Sequence, residues 1–314
     1  MCRINPRVDF AFRKLFGSEE NKDILISFIN SVVSEQDQVE SLELLNPYNF
    51  KNFKRDKSSV LEVKAKGVDG KLFNVEMQII DQHNYDKRSL YYWARLYSGQ
   101  IGSGEKYLDL NKTISINVLN FNFLPEAEYH NIYHIYNDKT QTLFSNQFEL
   151  HFIELRKYNE QFSSILDRWV NFLQRAEGYS QTNLPQQLQE IPTIISAVES
   201  LDYINFTEEE RVEYENTLKW MRDIIGGIEK ATDDGIQEGI EKGIEIGLEK
   251  GLERGIEVGM EKGIEVGMEK GLEKGKLDAK LEVARNLLDV LDNETIAFKT
   301  GLNVSQVQEL RLIV

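Results

Sequence analysis

Polar and apolar residues alternate with period two on both sides of a short turn between residues 61 and 79. Leu61, Val63 and Ala65 are apolar, as are Phe73, Val75, Met77 and Ile79. The positions between them, Glu62, Lys64 and Lys66 and then Asn74, Glu76 and Gln78, are polar. Period two is the repeat of a strand, and the Asp69-Gly70 pair between the runs predicts a β-hairpin. A two-residue turn would pair odd with even positions and mismatch the faces. A loop of odd length centred on Asp69 keeps the apolar face together and sets Glu62 opposite Glu76. Like charges directly opposite one another are destabilising. Such a pair therefore either stays well solvated or shares something positive, for which a divalent metal is the candidate.

Elsewhere the hydrophobic period lengthens to that of a helix. Residues 8–34 read as a helix or helix pair, with Phe10, Phe12, Leu15 and Phe16 followed by a possible cap at Ser18 and a second apolar set from Ile24 to Val33. A strand is expected over 38–45, and Asp86 can cap a helix over 87–101. Further strands are expected over 113–120, 131–136 and 147–155. The order α-β-β-β-α-β is then followed by helical patterns over 160–175, 184–200 and 207–228. This is an α+β core, residues 1–157, with a helical extension over 158–230.

From Gly235 to Gly275 a glycine falls at every fourth residue, 11 in all, in the unit Gly-[Ile/Leu/Met]-Glu-[Lys/Arg/Ile/Val]. A period of four exceeds 3.6, so each residue type drifts by about 40° per repeat around a helix. Each glycine costs a helix about 1 kcal/mol relative to alanine. The segment 231–275 therefore reads as a spacer rather than a specific binding element; the alternatives to an unstructured segment are a marginal helix, or one stabilised by self-association through close glycine contacts. Self-association makes the tail a route to a homo-oligomer. Residues 276–314 regain amphipathic patterning and resemble two short helices joined by the turn Thr300-Gly301-Leu302. With Arg311 alone on the second of them, packing or dimer formation is the expected role rather than base reading.

Composition narrows the function. The hydrophobic share of 41% supports a real core, and the single Cys2 excludes a disulfide framework or a cysteine-rich zinc site. No apolar run is long enough to span a bilayer, and residues 1–6 lead into no signal-like apolar stretch, so a cytoplasmic protein with no membrane partner is expected. The net charge of −15 argues against nucleic acid at first sight, but residues 1–71 hold 12 Lys/Arg and 11 Asp/Glu and are nearly neutral. Phe50–Lys57 interleaves basic and aromatic residues, as a phosphate-tracking segment does. Lys54 and Arg55 are its candidate substrate contacts, and a solvated loop is the alternative.

The polar face of the hairpin carries the candidate chemistry. Glu62 and Glu76 can hold one hard cation through oxygen. Gln78 can orient a water or a phosphate oxygen, Lys64 can hold substrate charge, and Asp9 is a further oxygen donor from the first helix. Metal-assisted phosphodiester hydrolysis needs such a set. A solvated polar sheet face accounts for the same pattern without chemistry. Arg88, Tyr92 and Arg95 share one helical face, and Arg88 is a candidate phosphate contact or a surface ion pair. Tyr91, Tyr92 and Trp93 read as core residues, and His134 and His151 as polar strand residues rather than metal ligands.

Four segments together resemble the Rpn family of recombination-promoting nucleases, also called PD-(D/E)XK family transposases. They are Asn5-Pro-Arg-Val-Asp9-Phe-Ala-Phe-Arg-Lys-Leu-Phe16-Gly17, Phe73-Asn-Val-Glu76-Met-Gln78, Lys87-Arg88-Ser-Leu-Tyr91-Tyr92-Trp93-Ala-Arg95, and the pair Asn131–Tyr136 with His151–Lys157. The likeness covers about residues 4–230, and the glycine-rich tail and Thr-Gly-Leu ending are also similar to members of the family. It implies a restriction-endonuclease-like (PD-(D/E)XK) core, with a mixed sheet flanked by helices, and Mg²⁺-dependent DNA endonuclease activity in bacteria. Glu76 and Gln78 fall on the family's Glu-x-Gln, a variant of the (D/E)xK half-motif, and Asp9 falls on its first-helix acid. Glu62 falls where the family usually has Asp. That extra methylene shifts any metal bound there, and it keeps open the alternative of a catalytically impaired nucleic-acid-binding or oligomeric regulatory protein on the same fold.

Overall fold

The structure is a computed structural model that describes residues 4–46, 62–81 and 84–313, with Glu62 described through its backbone alone. The chain divides into two units, one ending at Gly227 and one beginning at Ile228. In the first unit, helices α1 (Asp9–Gly17) and α2 (Lys22–Val32) precede strands β1 (Leu42–Leu44), β2 (Glu62–Gly67) and β3 (Leu72–Gln78). Helix α3 (Tyr85–Ser98) leads to β4 (Thr113–Leu119), β5 (His130–Tyr136) and β6 (Leu143–Glu154), followed by α4 (Ile165–Arg175), α5 (Gln186–Gln189) and α6 (Pro192–Ser200).

The six strands form one sheet in the order β1-β2-β3-β4-β6-β5. The pairs β1–β2, β2–β3 and β5–β6 are antiparallel, while β3–β4 and β4–β6 are parallel. The mixed pattern follows from the connections. A short turn can only return the chain antiparallel, whereas the crossover through α3 allows β4 to lie parallel to β3. The hairpin register is the odd-loop register read from the sequence: Glu62 pairs with Glu76, Lys64 with Asn74 and Lys66 with Leu72. Gly70 has φ +88° and its N–H donates to the Gly67 carbonyl. This positive φ suits glycine and closes the turn with an odd number of loop residues.

One face of the sheet buries Val63, Ala65, Phe73, Val75, Met77, Ile114, Ile116, Val118 and Ile153 against an aromatic layer from α1, α2 and α4. Phe16, Phe28 and fully buried Trp169 lie with ring centroids 5.3 to 6.1 Å apart. Helix α4 is fixed at its start by a capping box in which Ser164 accepts from Asp167 N–H. The opposite face is covered in part by α3, whose Tyr85 packs with Leu119, Phe121, Phe148, Leu150 and Phe152.

Helix α7 (Glu208–Leu287) includes the whole glycine repeat, so the segment expected to act as a spacer is helical. A Cβ on any of the repeat glycines would meet no atom within 4 Å beyond the helix's own backbone. In the second unit, α8 (Asn293–Thr300) and α9 (Val304–Ile313) pack with the end of α7 around Ala284, Leu288, Ile296, Leu302, Val307 and Leu310. Asp292 caps α8 by accepting from Thr295 N–H. Arg311 donates to Asn293 Oδ1 and to the Leu291 carbonyl, which employs it in packing.

Candidate active site

The polar face of the hairpin is buried along β3, whereas on β2 Lys64 is half-buried and Lys66 exposed. Asn74 is 1% exposed, Glu76 0% and Gln78 4%, because α3 lies over this side of β3. A solvated sheet face therefore does not explain these residues. Burial of polar groups requires partners, and the neighbouring strand and helix supply them. Asn74 donates to Ser115 Oγ at 3.4 Å, Tyr85 O–H donates to Asn117 Oδ1 at 3.1 Å, and Asn117 donates to the His151 carbonyl at 3.0 Å. Gln78 Nε2 donates to the Ile80 carbonyl at 3.1 Å.

Arg88 joins the half-motif to α3. Its Nη2 lies 2.9 Å from Glu76 Oε1 and 3.2 Å from Gln78 Oε1. The guanidinium carbon is 5.7 Å from the Tyr85 ring centroid and 5.5 Å from that of Tyr92, so two aromatic rings flank the charge. Burial and then the Glu76 charge push the Tyr85 phenol well above its usual range. Tyr85 therefore stays a neutral donor. The helix begins at Asn84, in the left-handed conformation with φ 65°, rather than at a cap on Asp86.

Asp9 opens α1, which packs against β2. Its Oδ1 is buried with no hydrogen-bond partner among the described residues. Burial raises its carboxyl to about 6, against the opposing pull of Arg13. Glu62 is the register partner of Glu76, and its side chain lies outside the described residues. Among the described residues, no three His, Cys, Asp or Glu side chains converge on a common metal position. The donor set nonetheless suits a hard cation in its chemistry: oxygen carboxylates on adjoining elements, one holding an orphaned buried oxygen.

Lys64 shares the face of Glu76 two residues further along and lines a cleft with Lys66 and Arg95. Lys54 and Arg55 lie outside the described residues. Tyr91 is 61% exposed, so it is not the core residue its neighbours suggested, whereas Trp93 packs on Phe148. The histidines form a separate cluster on the other face. His151 Nδ1 lies 2.9 Å from His130 Nε2, and Glu149 accepts from His151, His134 and Lys112 at 2.7 to 2.9 Å. Sequence reasoning read Arg88 as a phosphate contact or a surface ion pair, and did not foresee its contact with both Glu76 and Gln78. The available signal was the neutral Gln78 in the half-motif, beside which a basic residue from another element could stand.

No curated protein and no solved structure matches the chain. Residues 6–231 match the family described as PD-(D/E)XK nuclease family transposase, with the hairpin, α1 and α3 all inside the matched span. The buried Glu76-x-Gln78 half-motif, on a mixed sheet between helices, is what that match covers, and the chain belongs to this nuclease transposase family.

Proposed function

We propose that the protein is a Mg²⁺-dependent DNA endonuclease that hydrolyses phosphodiester bonds in recombination or on mobile DNA. The observation that carries this reading is the single Arg88 nitrogen shared by Glu76 and Gln78. Gln78 is a neutral amide and cannot offset negative charge on a phosphate, so a cation must come from another element. Arg88 brings one to within hydrogen-bond reach of both side chains.

Glu62 and Glu76 are the residues to hold the cation, with Asp9 helping directly or through water. When bound, a divalent cation supplies Lewis-acid activation of the phosphate and a more acidic water. Gln78 orients the attacking water through its amide oxygen. Arg88, flanked by its two rings, offsets the charge that grows on the phosphate oxygens, and Lys64 adds a second cation from the neighbouring strand. Membrane chemistry is no part of this reading, and no helix among the described residues is long and apolar enough to cross a bilayer.

Purified protein is expected to nick or cut plasmid DNA with Mg²⁺ and not with EDTA, and Glu76→Ala is expected to abolish cutting. Retained cutting in that variant would remove Glu76 from the mechanism. Glu62 favours a second reading, a DNA-binding protein on the same fold with impaired chemistry. Binding without cleavage at any metal concentration selects it, and a large gain of activity in Glu62→Asp identifies Glu62 as a weakened ligand position. The row of exposed apolar residues along the repeat, from Ile236 at 56% to Leu272 at 60%, supports self-association of the tail. Deleting residues 235–275 should then collapse the oligomer to a monomer in solution, and an unchanged number of subunits argues against it.

A further inference from the structure

The cleft between β2, α3 and the segment that follows α3 encloses about 370 Å³. Three cations line it, Lys64, Lys66 and Arg95, against one carboxylate, Asp109, with the amides of Gln100 and Asn111 beside them. Cations therefore outnumber the carboxylate in this cleft, on a chain whose net charge is −15. The amides are already tied to the backbone: Gln100 donates to the Asn111 carbonyl, and Asn111 N–H donates to Gln100 Oε1. That pairing holds the wall of the cleft in place and leaves Lys66 and Arg95 as its recognition chemistry.

The strand register fixes where these charges stand relative to the candidate catalytic residues. Lys64 pairs with Asn74 and Lys66 with Leu72, so both share the face of Glu76 at two and four residues' distance. At the strand rise these offsets are about 7 and 13 Å. On α3, Arg95 follows Arg88 by seven residues, two helical turns, and so lies over the same side. One row of cations thus leads away from Glu76 in one direction. Stacked nucleotides of one DNA strand are about 3.4 Å apart along the axis, so the row spans about four of them.

We infer that this cleft binds the phosphodiester backbone of the DNA strand on one side of the cut, with Lys66 and Arg95 as phosphate contacts that touch no reacting atom. The inference rests on the endonuclease reading for the identity of its ligand. Cations on phosphates position a duplex without reading its sequence, so the cleft would set the side and register of the substrate and not a sequence preference.

The test measures binding of a fluorescent duplex oligonucleotide by anisotropy in EDTA over a range of salt, with Mg²⁺-dependent cleavage followed in parallel. The double variant Lys66→Gln/Arg95→Gln should flatten the slope of log K against log salt by about 1.8 and weaken low-salt binding by about tenfold. The charge-keeping pair Lys66→Arg/Arg95→Lys should retain the wild-type slope. Substrates with fewer than about four nucleotides on one side of the cut should no longer sense the double variant. If the wild type cuts and the double variant binds with an unchanged slope, the cleft assignment is wrong and the endonuclease reading survives. If the double variant shows the expected slope change but the wild type never cuts, the cleft stands and the endonuclease reading falls. A wild type that neither binds nor cuts overturns both.

Discussion

A single nitrogen of Arg88, Nη2, is within hydrogen-bond distance of Glu76 Oε1 and Gln78 Oε1 at once. Glu76 is fully buried, so this contact also neutralises a carboxylate that burial would otherwise penalise. Arg88→Ala should therefore act twice. It should lower stability by about 3 kcal/mol in urea unfolding, because it leaves a buried charge uncompensated. It should also cut the cleavage rate by at least about a hundredfold. Adding Gln78→Lys to Arg88→Ala returns a cation to the same position and should recover part of both. Recovery of stability without any recovery of cleavage would confine Arg88 to a structural role.

Asp9 predicts a pH effect of unusual sign for a carboxylate. Its folded-state value is raised to about 6 from 3.8. The folded state therefore holds the proton more tightly, and the contribution is full below about pH 4 and lost as pH rises through 6. The loss is about 3 kcal/mol. Asp9→Asn should remove that loss and stabilise the protein at pH 7.5, while abolishing cleavage. Equal stability of the two proteins at pH 7.5 would show that Asp9 is not strained by burial.

His130 has the opposite slope. Burial, and then the neighbouring His151, lower it from 6.5 to about 4. The unfolded chain then takes up the proton first, so stability is lost as pH falls from about 6.5 toward 4, by about 3 kcal/mol. Glu149 adds to this at lower pH. Burial pushes its carboxyl up, but hydrogen bonds from His151 and Lys112 outweigh burial and hold it below the usual carboxylate range. Between pH 4 and 6 Asp9 and His130 act in opposite directions, so wild-type stability should be nearly flat. His130→Asn should expose a fall with rising pH, and Asp9→Asn a rise. Parallel curves for all three proteins would contradict the assignment.

The repeat predicts a gain from added side chains. Because the Cβ positions of its glycines are open, Gly→Ala at Gly247, Gly251 and Gly255 should stabilise the helix by about 1 kcal/mol per site. Circular dichroism through a thermal scan reads this as delayed loss of helix. Destabilisation would mean that the glycines are needed for close packing against something else.

Much of this was legible in the residues. The alternation around Asp69 gave the hairpin, its register and the Glu62–Glu76 pairing, because period two and turn parity are local properties. The order of strands and helices was legible for the same reason. What lies over a sheet face is not local. Periodicity places Glu76 on a polar face, but only the crossover through α3 turns that face into an interior and brings Arg88 onto it. Tyr91 was misread because a Tyr-Tyr-Trp run looks apolar regardless of which ring points outward. Whether the repeat is helical stayed open in the sequence, because the cost of its glycines was weighed without the helical sequence on either side that continues through it.

The parity of the β2–β3 turn also bears on which insertions and deletions this region can accept. Lys66 and Leu72 are the last paired residues of the register before the turn. Adding or removing one residue between them would slip one strand by one position. Glu62, Lys64 and Lys66 would then trade faces with Val63 and Ala65. Such a change deletes no functional residue, yet it would send charges into the aromatic layer and valines into the cleft. Changes of two residues preserve the faces, so viable length variants of this turn should differ from one another by even numbers.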